Sequence, residues 1–344
     1  MNGHPVVYYL PPDRAVTGLA AVFEASGFLK RLKPKKKLGL KVHFGEAGND
    51  NHLDPAIVRT VAIAASHLNL QPVAVETTAL YRGRRQNATE HVRLAREHGF
   101  GMDRILVPID ILDGTHGEKY YEVPLDSVLV PVARLARGLR RYRYLVNLAR
   151  YKGHMLTGFG GCIKNLAMGL AAKAGKLEMH SDSMPHVVPD RCTACGTCAD
   201  YCPSRAIAFV RHVAAIGPGC TGCGGCLAVC PQGAIAVDWN AASETVQRKM
   251  VDYCRAVVSG REVLHFDFAV NITPNCDCNN RTERPATADV GVFASLDPVA
   301  CEQAAFDRTG DVIRRFWPEI EPSVLLEAAE TDGLGRRDHR IEAL

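Results

Sequence analysis

The 344-residue chain contains no apolar run approaching the roughly 18 residues of a membrane helix. Its opening stretch, MNGHPVVYYLPPD, lacks the basic start, apolar core and cleavage site of a secretory signal. These absences predict a cytoplasmic protein with no membrane partner. The formal charge is only +4, too small to argue for nucleic acid, so no such partner is expected. No G-K-[ST] closes its glycine-rich loops, and no G-x-G-x-x-G joins a strand to a covering helix. That leaves no Walker loop and no flavin or nicotinamide fingerprint. Lysine and arginine are locally dense at Lys30–Lys37 and Arg134–Arg143. Each reads as a solvated face, with an anionic ligand or acidic redox partner as the alternative.

Cysteine, by contrast, is plentiful. Thirteen of them in a reducing compartment point to metal rather than disulfides. Cys192, Cys195, Cys198 and Cys202 form C-x2-C-x2-C-x3-C before Pro203, and Cys220, Cys223, Cys226 and Cys230 repeat the phrase before Pro231, 28 residues on. Three cysteines at this interval let one loop cover three corners of a [4Fe–4S] cube, and the fourth ligates the other cluster. Gly196, Gly222, Gly224 and Gly225 would let the backbone approach. The spacing therefore predicts two [4Fe–4S] clusters. One is held by Cys192, Cys195, Cys198 and Cys230, the other by Cys220, Cys223, Cys226 and Cys202. Paired zinc knuckles are the weaker alternative, because the trailing C-P occurs twice. Residues 187–238 look like a bacterial two-cluster ferredoxin module, which implies one-electron transfer and a redox partner protein.

The remainder alternates strand-like and helix-like segments. PVVYYL (5–10), LGLKVHF (38–44), PVAVET (72–77), ILVPI (105–109), YLVNLA (144–149), EVLHFDFAVNI (262–272) and DVGVFAS (289–295) read as strands. Asp54 followed by Pro55, Asn87 with Glu90, and Asp297 followed by Pro298 mark helix starts, and Gly99, Gly260 and Gly310 mark helix ends. The pattern predicts an α/β fold, a mostly parallel sheet flanked by helices. Residues 1–186 and 239–344 would form its two parts, with the ferredoxin-like module inserted between them.

Several stretches hold more chemistry than a core requires. His43 and Glu46 fall at a strand's C-terminal end, where open α/β sheets place ligands; a capped strand end is the plain alternative. YKGHMLTGFGGCIKNLAMG offers Lys152, His154, Lys164 and Asn165 around Gly160 and Gly161, an anion-binding loop or a tight turn. Cys162, at that helix start, reads better as a small buried residue. Lys176 and His180 precede the module and would lie near a cluster edge, or on the surface. Cys276 and Cys278 form a C-x-C pair suited to a soft metal, a redox disulfide or an active thiol. Cys254 and Cys301 read as core.

KVHFGE, ALYRGRRQNATEH, YKGH, GFGGCIKNLAMG, AGKLEMHS, the cysteine phrases, ITPNCDC and LDPVA together resemble the iron–sulfur members of the family catalogued as domain of unknown function 362. The resemblance implies an iron–sulfur protein with an α/β core, not a reaction. From the residues, the first expectation is an iron–sulfur oxidoreductase. Its electrons would reach a site formed by His43, Glu46, Lys152, His154, Lys164, Cys276 and Cys278 and reduce a small anionic substrate or bound cofactor. The alternatives are a ferredoxin-type carrier or adaptor docking a partner enzyme, and a metal- or sulfur-handling maturation factor using Cys276 and Cys278.

Overall fold

A computed structural model describes residues 3–181, 184–238 and 242–344. Eight strands form its main sheet: β1 (Val6–Leu10), β2 (Lys37–Val42), β3 (Gln71–Glu76), β4 (Ile109–Ile111), β5 (Tyr144–Arg150), β6 (Glu262–Ala269), β7 (Gly291–Ser295) and β8 (Arg340–Ala343). Their order across the sheet is β8-β1-β7-β6-β5-β2-β3-β4. The run from β6 to β4 is parallel throughout, whereas β7 is antiparallel to both of its neighbours.

Both faces are covered, which is why the central strands read as nearly continuous apolar runs. On one face, Leu38, Leu40, Val42, Val146, Phe266 and Phe268 pack against Ile57, Val58, Val61 and Ala62. Those four lie on one side of α1 (Pro55–His67), which starts as its sequence demands: Asp54 accepts from the Ala56 N–H and Pro55 takes the first turn. α2 (Ala88–Ala95) is capped by Asn87, which accepts from Thr89 N and Glu90 N. On the opposite face, Leu145, Ala149 and Val263 meet α3 (Cys162–Leu170), α4 (Lys173–His180), α5 (Ser243–Val258) and α6 (Pro298–Phe316). Each fully buried Leu, Ile or Val contributes about 1.5–3 kcal/mol of transfer free energy.

Two expectations need correction. ILVPI is not a strand: Ile105 ends a short helix begun at Met102, Leu106 turns left-handed (φ 63°), and β4 starts at Ile109. Gly310 does not end its helix, which runs on to Phe316 because Ile313 continues the buried stripe. Strand β8 is an edge strand of only four residues, exposed or half-buried throughout, and its sequence did not signal it.

Residues 186–237 carry two small antiparallel pairs, His186–Val187 with Ile235–Ala236 and Ile207–Val210 with Val213–Ile216. They enclose a separate small core of Cys198, Ala214, Cys226, Leu227, Ile235 and Val237, joined by Leu80 and Leu177 from the main domain. Among the described residues, no helix is long and apolar enough to cross a membrane.

Candidate cluster-binding and thiol site

The two cysteine phrases wrap two separate cavities. Cys192, Cys195 and Cys198 line one together with Cys230, and Cys220, Cys223 and Cys226 line the other together with Cys202. Each triad thus faces the fourth cysteine of the other phrase. Left-handed backbone at Ala194, Gly196, Gly222 and Gly224 folds the loops inward. Backbone N–H groups aim at sulfur: Ala234 N at Cys230 (3.2 Å), Ala206 N at Cys202 (3.3 Å), Ala214 N at Cys192 (3.4 Å) and Gly222 N at Cys220 (3.5 Å).

Residues 79–86 connect this region to the sheet. Leu80 packs into the small core, Arg82 donates to the Pro231 carbonyl (3.1 Å) and Gln86 donates to the Leu227 carbonyl (3.3 Å). From the same segment, Tyr81 donates to the Cys278 carbonyl (3.2 Å) and Arg85 Nε donates to Glu46 Oε2 (2.9 Å). Arg85 also donates to the Tyr81 hydroxyl and to His43 Nε2 (2.7 Å). A guanidinium cannot accept, so Nε2 accepts, while Nδ1 lies 3.1 Å from both the Gly45 N–H and Asp277 Oδ2. Burial pulls Arg85 down, but Tyr81, Glu46 and Cys278 outweigh it and hold it fully charged.

The parallel strands β2, β3, β5 and β6 all end on one edge, and the loops beyond them converge there. Lys164 Nζ lies 3.6 Å from Cys276 Sγ, and Cys278 N donates to the same sulfur (3.5 Å). Potential ligand atoms of His154, Cys276 and Cys278 lie within 4.8 Å of one another. Lys152 Nζ donates to the Arg150 carbonyl (2.8 Å) and sits 3.5 Å from Asp277 Oδ1. The hairpin bearing Lys152 and His154 packs flat on the 273–274 backbone. Gly153 N donates to the Thr273 carbonyl (2.8 Å), and any Cβ at Gly153 would strike the Pro274 carbonyl. Gly160 likewise leaves space that the Lys164 side chain uses; a Cβ there would meet Lys164 Cδ at 2.9 Å.

The charges sort into a polarised pair. Its hydrogen bond to the Cys278 thiol, then Lys164 and Lys152, hold Cys276 well below the usual thiol range despite burial. Cys278 is pushed up chiefly by that same bond. Lys164 loses to burial but gains more from Cys276, Cys278 and Asp277. His154 is driven down by burial, then by Lys164 and its other cationic neighbours, so it stays neutral. The arrangement presents a thiolate beside a thiol, with a fixed cation and a neutral imidazole.

Thus His43, Lys152, His154, Lys164, Cys276 and Cys278 share one site, and Glu46 joins through Arg85 and through its own N–H to the Asp277 carbonyl (3.2 Å). Other candidates are placed differently. Gly161 precedes α3, whose early Ile163 N–H donates to Glu302 Oε1 (2.7 Å); that helix start already faces an internal carboxylate, not open space for an external anion. Asn165 is tied to Asn147 Oδ1 (2.7 Å), the Leu148 carbonyl (3.1 Å) and Lys41 Nζ (2.9 Å). Lys176 is buried, donating to Thr77 Oγ1 and the Ala171 carbonyl (2.6 Å each), so the surface alternative fails for it. Burial lowers it to about 8. His180 is pushed down to about 4 by burial, then by Lys164 and Lys176. Cys162 is fully enclosed, with burial raising its thiol well above the usual range.

Tyr81, Arg85, Asp277 and the buried pair Lys41–Glu76 (3.2 Å) were not singled out from sequence. Nor were Asp267 and Glu302, buried beside Cys162 and Cys301; both Asp267 oxygens and Glu302 Oε2 lack a hydrogen-bond partner. A charged residue inside the otherwise apolar run of β6 was the one legible signal.

A family model described as domain of unknown function (DUF362) matches residues 38–307. No curated protein matches. Among solved structures, the chain is similar to the lactate racemase apoprotein from Thermoanaerobacterium thermosaccharolyticum, at 11% identity and a TM-score of 0.38. The match covers 77% of this chain and 51% of that one, so the chain spans about half of that protein's length.

Proposed function

The chain belongs to the DUF362 family, and from that premise we propose that it is an iron–sulfur redox protein acting at the site around Cys276 and Cys278. Two [4Fe–4S] clusters would supply one-electron transfer, held by Cys192, Cys195, Cys198 and Cys230 and by Cys220, Cys223, Cys226 and Cys202. The observation that carries this reading is the crossed lining of the two cavities, three cysteines from one phrase and one from the other in each. The backbone N–H groups aimed at the sulfurs suit the same ligands.

The chain's own residues then define the destination. Residues 79–86 reach both the module, through Pro231 and Leu227, and the thiol site, through Cys278. Lys152 and Lys164 supply positive charge for a small anionic substrate or bound cofactor, with His43 partly open to solvent at the rim. His154, neutral beside the thiolate, can carry a proton to or from Cys276 or Cys278. Iron analysis and electron paramagnetic resonance of anaerobically purified, dithionite-reduced protein test the reading. About eight iron atoms and two reducible centres per chain are expected, and zinc without a paramagnetic signal would contradict it.

The closeness of His154 to both sulfurs favours a second reading, a metal- or sulfur-handling factor. It requires an additional metal or sulfide that Cys276→Ser removes while the iron content stays unchanged.

A further inference from the structure

We propose that Cys276 and Cys278 are a two-electron redox couple, cycling between a dithiol and an intramolecular disulfide inside the α/β domain.

The geometry brings the two sulfurs together without help from distant chain segments. Asn279 N donates to the Cys276 carbonyl (3.0 Å), closing a tight turn in which the cysteines take the first and third places. Their sulfurs already lie within 4.8 Å, and closure to the roughly 2.05 Å of a disulfide needs side-chain rotation and local adjustment of this turn. Cys276 is buried and Cys278 is half-buried, so the pair opens to solvent through Cys278.

The surroundings favour this chemistry over a divalent metal. Lys164 Nζ is 3.6 Å from Cys276, and Lys152, Arg150 and Arg85 ring the same loop. Three carboxylates offset part of this charge: Asp277, which is engaged by Lys152 and His43 and lies 3.4 Å from Cys276 Sγ, Glu46, which is paired with Arg85, and Glu283, which accepts from Asn275. With the Lys164 ammonium facing the sulfur itself, a dication there would cost Coulomb energy that a single thiolate instead gains. The reduced pair is therefore the favoured partner of Lys164.

The balance is simple. Reduction breaks the S–S bond; two electrons and one proton yield the Cys276 thiolate and the Cys278 thiol. The proton comes from solvent and ends on Cys278. Oxidation runs the reverse. The electron source rests on the proposed function: two one-electron iron–sulfur donors match one two-electron couple. The couple itself does not depend on them, because thiol–disulfide exchange with dithiothreitol reads it directly.

The test uses the full chain equilibrated anaerobically in oxidised and reduced dithiothreitol, quenched in acid and treated with N-ethylmaleimide. Trypsin cuts after Arg261 and Arg281, releasing a peptide, residues 262–281, whose sole cysteines are Cys276 and Cys278. Under oxidising ratios this peptide should carry no maleimide and be about 2 Da lighter than the dithiol; under reducing ratios it should carry two labels. Lys164→Gln should shift the equilibrium at least tenfold towards the disulfide, about 30 mV, because the reduced form loses its cation. Two labels at every ratio would overturn the proposal. So would labelling that appears only after chelation, with one equivalent of released metal. Failure of the iron measurements with a normal peptide shift would sink the electron source and leave the couple standing.

Discussion

Lys164 Nζ and Cys276 Sγ stand 3.6 Å apart at the meeting point of two strand-end loops, an ammonium facing a buried sulfur. The Cys278 thiol foremost, then this ammonium and Lys152, hold Cys276 well below the usual thiol range despite burial. Lys164→Met should abolish the thiolate absorbance near 240 nm that acid-difference spectra of the wild type assign to Cys276. Cys276→Ser should remove the same band, which identifies it. A band surviving Lys164→Met would show that Lys152 and the Cys278 hydrogen bond suffice.

Arg85 and Glu46 form a buried ion pair at 2.9 Å with under a tenth of either side chain exposed. Removing one partner of such a pair leaves a buried charge uncompensated. Arg85→Met should cost about 3 kcal/mol or more in urea unfolding, and Arg85→Met with Glu46→Gln should recover part of that loss. The double variant should also loosen Tyr81, which shares the guanidinium, visible as faster amide exchange around Cys278.

Asp267 gives a pH signature of known sign. Burial foremost raises its carboxyl to about 7, against an unfolded value near 3.9. Between these values the native state holds a proton that the unfolded state has lost. This group's contribution is therefore full below about pH 4 and declines as pH rises towards 7, at up to about 1.4 kcal/mol per unit. Asp267→Asn removes that slope. The variant should be more stable than wild type at pH 8 and lose the advantage by pH 5, as read from thermal midpoints. A constant difference would mean that Lys152 compensates an ionised Asp267 throughout.

The crossed cavities predict distinct footprints for the fourth cysteines. Cys230→Ala should roughly halve the iron, from about eight atoms to about four. It should also expose Cys192, Cys195 and Cys198 to alkylation while Cys220, Cys223 and Cys226 stay protected. Cys202→Ala should give the mirror image. Protection following the local phrase instead would contradict the crossing.

Much of this organisation was legible because it follows from chain direction. His43 follows β2, residues 79–86 follow β3, Lys152 and His154 follow β5, and Cys276 follows β6; parallel strands bring all four to one edge. Helix starts at Asp54, Asn87 and Asp297 were legible because a cap is a local hydrogen bond. Side-chain partnership was not. Arg85 is one arginine among several in its segment, and only the folded structure sets it against Glu46 rather than solvent. Lys41 and His265 flank Asn147 in register on a covered face, a pairing that no local pattern announces. The glycines before α3 suggested an anion site, but the anion they meet is Glu302, which lies 139 residues away in sequence.

The most direct measurement counts electrons. Anaerobic coulometric reduction of the oxidised wild-type chain should consume about four electrons, one for each of two clusters and two for the Cys276–Cys278 disulfide. The Cys276→Ser chain, with its iron unchanged, should consume about two. Equal uptake by the two chains would contradict the account, because the thiol pair would then hold none of the electrons assigned to it.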